Sequence, residues 1–404
     1  MAASTTLATV DSLLKEIYEP PLRDQLQSEV ITLKRIEKTS EGVTNDVGGK
    51  YVTFPIRTRR NHGIGARREN EPLPNARTQR YAAARVSLKY LYGACSITGQ
   101  TMELAETNPQ AFVSALDSEV NGLKETLRKD TNRQVYGSST GVLATIPTGS
   151  SGAGTAHTVA SIQYLELGMI VDVLSSDGTV ARVEEAEITD INTSTLAVTF
   201  DKSFDSTDND VIARWRSYGK EKTGFEEIIS ATGTLYNISP TDEPVWKATV
   251  NSNSGVNRAL SEGMMIKMVD DIRTLGGKTT VIFSNLGVRR SYFNLLVQQR
   301  RYHETKEFEG GFKGLAFATD AGEIPFVADT DCQPNRQYYV NEKEIKLYQE
   351  GDWSFMNRDG SNWQRVITAE GDFDAYKATM FKYCEMGTHR RNSHGVLKDI
   401  TEAS

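Results

Sequence analysis

GSSTG, residues 137–141, fits the G-x-S-x-G pattern that exposes a serine nucleophile, here Ser139, on a strand-to-helix turn beside backbone N–H donors. In this chain the pentapeptide follows a helical pattern and runs into a loop, so it reads as a helix cap and linker. A soluble serine hydrolase using Ser139 stays open as the second alternative. The histidines at His62, His157, His303, His389 and His394 show no metal-ligand spacing, and no H-E-x-x-H occurs. His389 and His394, in THRRNSH, read as a solvated basic face. EGGFKG, 309–314, lacks the GK[ST] ending and flanking elements of a phosphate cradle and reads as a mobile loop. Cys95, Cys332 and Cys384 are far apart and read as buried reduced thiols rather than ligands or disulfides. No nucleophile, base and oxyanion donor assemble, so the reading is of no enzyme, no cofactor and no metal.

The residues that do stand out are arginines. RTRRNHGIGARRENEPLPNARTQR carries Arg57, Arg59, Arg60, Arg67, Arg68, Arg77 and Arg80 and no lysine, with Glu69 and Glu71 as its only acids. That stretch is +5 in a chain of net charge −7. Glycine and proline punctuate it and Ile64 and Leu73 are its only large aliphatics, so it builds no core of its own. A planar guanidinium pairs bidentately with carboxylates on another surface, which lysine does not do. A merely solvated loop and a nucleic-acid contact are the alternatives. Against the latter, no aromatic side chain is interleaved for base stacking, and the chain is acidic overall.

The flanking sequence has to position those arginines. YVTFPI (51–56) and YAAARVSLKYLYG (81–93) alternate as strands, making a long hairpin with a wide polar tip. Asn108-Pro109 opens a helix in which Phe112, Leu116, Val120, Leu123 and Leu127 form one apolar stripe, ended by Gly137. A helix over 109–136 is long for a globular domain, at roughly 42 Å. After the Gly149–Gly154 bridge, short β-type runs over 160–216 read as a small barrel. From 217 the chain turns α/β, with helices at Leu260–Leu275 and about Leu286–Tyr302, a TTVIFS strand between them, and closing strands to the end. Ahead of all this, Leu7–Tyr18 reads as a short helix in an arm anchored only by Val30, Ile31, Leu33 and Ile36. No run of about 18 apolar residues exists to span a membrane, and the N-terminus lacks the pattern of a signal peptide.

The order of these parts is an α+β arrangement that resembles the major capsid proteins of tailed bacteriophages, the Hong Kong 97 fold. The resemblance is carried by VTFPIRTRRNHGIGARRENEPLPNARTQRYAAARVSLKYLYGACSITGQ, the helix ending RQVYG, EPVWKATV and SNLGVRRSYFNLLVQQRRY. It implies a 1–45 N-terminal arm and a 46–93 extended loop overlying a neighbouring subunit. It further implies a 94–154 peripheral domain with spine helix 109–136 and a 155–216 β-rich insertion. Residues 217–342 would be the axial domain with part of the peripheral domain, and 343–404 the peripheral return strands and C-terminus. The implied function is a shell protein of hexamers and pentamers enclosing dsDNA that it touches only by non-specific proximity. It would be assembled in the host bacterial cytoplasm and found in the virion capsid. A portal, a decoration protein and a separate scaffolding protein are the implied partners, the last because no fused scaffold precedes the fold-like region. With no lysine between Tyr51 and Lys89, a lysine–asparagine cross-link from the hairpin tip is not expected. An encapsulin-like cargo compartment is the first alternative.

Overall fold

The structure is a computed structural model describing residues 30–40, 43, 51–100, 109–298, 306–307, 313–320, 322–357, 360–368 and 371–403. The helix read at Leu7–Tyr18, His303 and most of the EGGFKG stretch lie outside these residues.

Pro109–Tyr136 forms the expected helix of 28 residues. Proline suits its first turn because that N–H has no helical acceptor in any case. Val120, Leu123 and Leu127 are half-buried; Phe112 and Leu116 sit on the same helix with side chains outside the described residues. Leu123 and Leu127 cross strand Lys89–Thr98 at Gly93, where an added Cβ would come within 2.8 Å of Leu127. Glycine there lets helix and strand close up. The last turns are clipped by charge. Arg133 pairs with Asp130 at 3.0 Å and Glu221 at 2.5 Å, and Arg214 reaches Asp130 at 3.1 Å. Burial alone would raise the Asp130 carboxyl, but the two guanidiniums hold it well below the usual carboxylate range.

Two sheets flank this helix end. Gly371–Thr388 is the axis of a six-stranded sheet, pairing with Lys89–Thr98, Ile345–Gln349, Ser354–Phe355 and Trp363–Thr368. Glu37–Thr39 adds to Ile345–Gln349 in parallel. A seven-stranded sheet carries Val281–Ser284 near its centre, buried at every position as a central strand demands. Helices Glu262–Thr274 and Leu286–Gln298 lay Met265, Met268, Ile272 and Tyr292 over it.

The third sheet differs from the expected barrel. Its six strands run Val142–Thr145, Val211–Arg214, Ile170–Leu174, Ala181–Asn192, Ala197–Ser206, Gly152–Thr158, around a separate core of Val171, Val173, Ile188, Val198, Phe200 and Ile212. Among the described residues no ladder joins the two edge strands; a hydrogen bond from the Ala160 N–H to the Thr145 carbonyl (2.8 Å) links them. The sheet also starts earlier than the β-type runs indicate. The glycine-rich stretch read as a bridge enters a strand at Gly152, which small residues without alternation concealed.

His389 and His394 are likewise not solvated. His394 is buried and accepts the Asn341 N–H at 3.2 Å while contacting Thr388 Oγ1 at 3.0 Å. Desolvation, with Arg390 nearby, pushes its pKa down to about 3. A local sequence of polar neighbours carries no sign of which side chain the return of the chain will cover.

The N-terminal segment, long helix and seven-stranded sheet meet at one buried carboxylate. Asp329, 1% exposed, accepts from the Thr32 N–H (3.2 Å), Thr32 Oγ1 (2.6 Å) and Asn132 Nδ2 (3.1 Å). Asn132 also donates to Asp331 at 2.7 Å and accepts the Leu33 N–H at 3.0 Å. Thr32 Oγ1 lies 2.5 Å from the Tyr136 hydroxyl.

Burial, with Asp329 beside it and despite the Asn132 hydrogen bond, pushes the Asp331 carboxyl up to about 6 from 3.8. The native state then holds more protons between those values, so this residue's contribution to stability is full at about pH 4 and is lost as pH rises to about 6. Asp331→Asn keeps an acceptor for Asn132 and removes the titration. We expect the variant to gain up to about 3 kcal/mol at pH 7 and nothing at pH 4. Urea melts at the two pH values check this; equal gains at both would assign the effect to packing instead.

Candidate functional site

Tyr51–Arg59 and Arg80–Ser87 pair antiparallel as the expected hairpin, but the second strand ends sooner than YAAARVSLKYLYG implies. At buried Leu88 the chain changes partner, and Lys89–Thr98 joins the six-stranded sheet. Two strands read as one because Tyr90 and Tyr92 extend the apolar even positions Ala84, Val86 and Leu88 in the sequence, although both tyrosines are exposed and the inward face moves to odd positions at the switch. Inward positions Val52, Ala84 and Val86 are buried, with Phe54 packed edge-on against His389 at 4.7 Å. The Arg85 N–H donates to the Tyr236 carbonyl at 3.0 Å, so the hairpin root is hydrogen-bonded along its outer edge as well.

Arg59 and Arg80 flank a third anchor. Arg80 Nε sits 2.6 Å from Glu243 Oε1 and Arg59 Nε 3.9 Å from Oε2. The Glu243 side chain is 5% exposed, and the contact is an ion pair without a well-aligned hydrogen bond. Nothing local in PTDEPVW marks Glu243 as this seat; only the fold brings it beneath residues 59 and 80.

Thr58 is the last buried side chain before the tip. Arg68 lies ten positions further along the chain, an extended reach of at most about 33 Å at ~3.3 Å per step. The tip is braced without a core. A Cβ on Gly63 would meet the Asn75 carbonyl at 2.9 Å, so the two arms touch there. Arg67 donates to the Pro72 carbonyl (2.8 Å) across the tip and to the Ala66 carbonyl (2.9 Å). Chain reversal falls at Arg68–Glu71, where Glu71 accepts the Arg68 N–H at 3.0 Å and Asn70 takes φ 66°. Arg57 reaches Gln79 only at 3.5 Å.

The nine charged candidates therefore divide. Arg59 and Arg80 serve the root, Arg67 and Glu71 brace the tip, and Glu69 is exposed. Among the described residues no ion pair holds Arg60, Arg68 or Arg77. Ile64 and Leu73 are 81% and 82% exposed beside them.

Ser139 has no comparable setting. It follows the long helix in a left-handed conformation (φ 64°), between Ser138 and Thr140, whose hydroxyls bond each other at 2.9 Å. No hydrogen bond to a histidine activates it among the described residues. A cavity of about 520 Å³ adjoins this turn, lined by Arg133, Glu221, Glu226 and Arg336 among others. Those charges are committed as Arg133–Glu221 and Arg336–Glu226 pairs at 2.5 and 3.1 Å. All three cysteines are free thiols, as read, with Cys332 and Cys384 buried.

A family model described as the SU10 major capsid protein matches residues 131–401. No curated protein sequence matches the chain. Among solved structures, the cyanophage A-1(L) capsid asymmetric unit is similar with a TM-score of 0.59 at 15% identity, covering 98% of this chain and 100% of that one. A structure from Mycobacterium phage Bobi gives 0.50 at 10% identity over 98% and 99% of the two chains. The capsid of the empty GTA particle gives 0.50 at 10% identity over 99% and 100%. At such identities the likeness is one of fold.

Glu243→Gln removes the charge beneath Arg59 and Arg80. Half-exposed pairs are worth about 1 kcal/mol or less, so we expect amide exchange around residues 57–60 and 79–82 to quicken up to about fivefold while the six-stranded sheet stays protected. Unchanged exchange at the root would show that Phe54, Val52 and Val86 hold it alone.

Proposed function

The chain belongs to the SU10 major capsid protein family and has the Hong Kong 97 fold, so it forms the shell of a tailed-phage virion, and we propose that its subunits lock together through the arginine-tipped hairpin. The observation that carries this is a tip reaching past the last buried side chain with Ile64 and Leu73 exposed and, among the described residues, Arg60, Arg68 and Arg77 outside any ion pair. An ordered, apolar and cationic finger gains nothing from water alone; a surface of a second copy would cover its aliphatics and offer carboxylates to its guanidiniums.

On this reading the six-stranded sheet and long helix form the peripheral part of the subunit, and the seven-stranded sheet the axial part, meeting at hexamer and pentamer centres. The stripe at Phe112, Leu116, Val120, Leu123 and Leu127 supports the peripheral sheet. The subunit acts as a wall around dsDNA and not as an enzyme. Assembly takes place in the host cytoplasm on a separate scaffolding protein, with a portal at one vertex and a decoration protein as a further outside partner. A cargo compartment on the same fold is the weaker reading, since the family match is to a viral capsid protein.

Each contact is weak by itself, ~0–1 kcal/mol for a rim ion pair, but it recurs in every copy, so its loss is multiplied through a closed shell. Arg68→Ala with Arg77→Ala is expected to leave the thermal midpoint of the isolated subunit within about 2 °C while closed particles seen by electron microscopy fall at least about fivefold. Wild-type particle yield from the folded double variant would count the hairpin out as the lock.

A further inference from the structure

One face of the inserted sheet is the natural complement of the hairpin tip. Strand registers place Val171 opposite Arg214, Ile170 opposite Glu187, and Ile188 opposite Phe200. Paired residues point to the same side of a sheet. Trp215, whose N–H donates to the Ile170 carbonyl at 3.1 Å, therefore heads a row that continues through Ile170 and Glu187 to Asp201. The Glu187 N–H donates to Asp201 Oδ1 at 2.7 Å. Val171, Ala186, Ile188 and Phe200 turn the other way into the core. Trp215 is 39% exposed, Ile170 44% and neighbouring Leu167 65%, and both carboxylates are exposed. This is an apolar step followed by an acidic one on an unpartnered sheet face.

Charge is also segregated along the chain. Residues 155–216 contain four basic and eleven acidic side chains, net −7, which is the net charge of the whole protein. The remainder is neutral on balance, yet holds the +5 of residues 57–80. Among the described residues no cation pairs with the carboxylates of the row. Lys202 donates to the Glu184 and Glu185 carbonyls at 3.0 and 2.5 Å, Arg216 lies over the Trp215 ring at 4.9 Å, and Arg182 pairs with Asp210 at 3.0 Å.

We propose that the tip of the hairpin docks on the Trp215–Ile170–Glu187–Asp201 row of an adjoining copy, Ile64 and Leu73 covering the apolar step and Arg60, Arg68 and Arg77 facing the carboxylates. The spacings agree. Strands about 4.8 Å apart set Asp201 roughly 10 Å from Ile170 and 14 Å from Trp215, while four extended residues carry the chain ~13 Å from Ile64 to Arg68. Neither half is satisfied within one chain, since both the tip aliphatics and the row remain exposed. Tip and row are different surfaces of one molecule, so the contact is head-to-tail, the kind that builds a ring when the rotation between copies closes. The inference rests on the hairpin being the lock between subunits; it adds the place where the lock is received.

The test uses assembled particles of the full chain. Leu73→Cys with Ile170→Cys, oxidised and run on a non-reducing gel, is expected to give covalent multimers, with either single variant giving monomer. Closed particles in which both cysteines stay open to a thiol reagent would overturn the docking and give the face to another partner. Charge exchange is the second arm, and covers failure of the cysteine pair to assemble. Glu187→Arg with Asp201→Arg, and separately Arg68→Glu with Arg77→Glu, are each expected to lower particle yield. Combining all four is expected to recover it to within about twofold of wild type. No recovery from a combined variant that is folded would reject this seat. If the tip pair alone still impairs assembly in that case, the hairpin remains the lock and only its receptor is wrong.

Discussion

Asp329 has to be hydrogen-bonded where it is buried, and all but one of its donors come from segments remote in sequence. Thr32 supplies a hydroxyl and an N–H from the N-terminal segment, Asn132 an amide from the end of the long helix, and Asp331 its own N–H at 3.0 Å. Leaving such a carboxylate short of donors costs several kcal/mol. The network therefore fixes how three parts approach, and the apolar core follows from it. Tyr136, which shares the Thr32 hydroxyl, packs against Phe225 at 5.5 Å and Tyr338 at 6.0 Å, and Phe225 carries the contact on to Phe283. With the helix end held there, its other face meets Gly93 and the six-stranded sheet, and the Arg133 cluster holds the inserted sheet to the same point.

Arg391 plays a similar part on the far side of that core. Its guanidinium, 1% exposed, donates to the carbonyls of Ile228, Gly233, Trp246, Glu227 and Thr232. Burial pulls its pKa down to about 10 even with Tyr236 and Glu227 nearby, yet it stays charged at neutral pH. A loop with no ladder of its own is thus organised around one side chain, and that loop supplies Tyr236 and Glu243 to the hairpin root. The outward reach of the arginines accordingly depends on buried polar contacts well behind them.

A shell subunit must be stable alone yet incomplete. Here the two requirements are separated in space. The apolar cores are buried within the chain, whereas the tip and the exposed face of the inserted sheet present aliphatics beside charge. Opposite charge is kept on opposite modules, which favours encounters between unlike surfaces of neighbouring copies over like ones. Arginine rather than lysine at the tip fits this, because a fork demands direction from its partner as well as charge.

The long helix was legible because its stripe at spacings of three and four records a period that packing must respect. The hairpin was legible because alternating strands enclose residues that cannot make a core. The arginines were singled out by number, but their separate duties were not: that Arg80 faces buried Glu243, and that Arg67 spans the tip, depends on partners distant in sequence or on a turn with no fixed pattern. His394 was misread for the same reason, its burial being decided by Asn341 and Thr388 and not by its polar neighbours. The strand switch at Leu88 shifts the inward face from even to odd positions, and the sequence hid it because exposed Tyr90 and Tyr92 keep large side chains on the even ones. By itself the sequence determined the elements, the order of parts and the concentration of positive charge, all set by neighbours along the chain. Tertiary structure alone decided which charges are already paired within the subunit and which are left for another, because pairing is settled by distance in space.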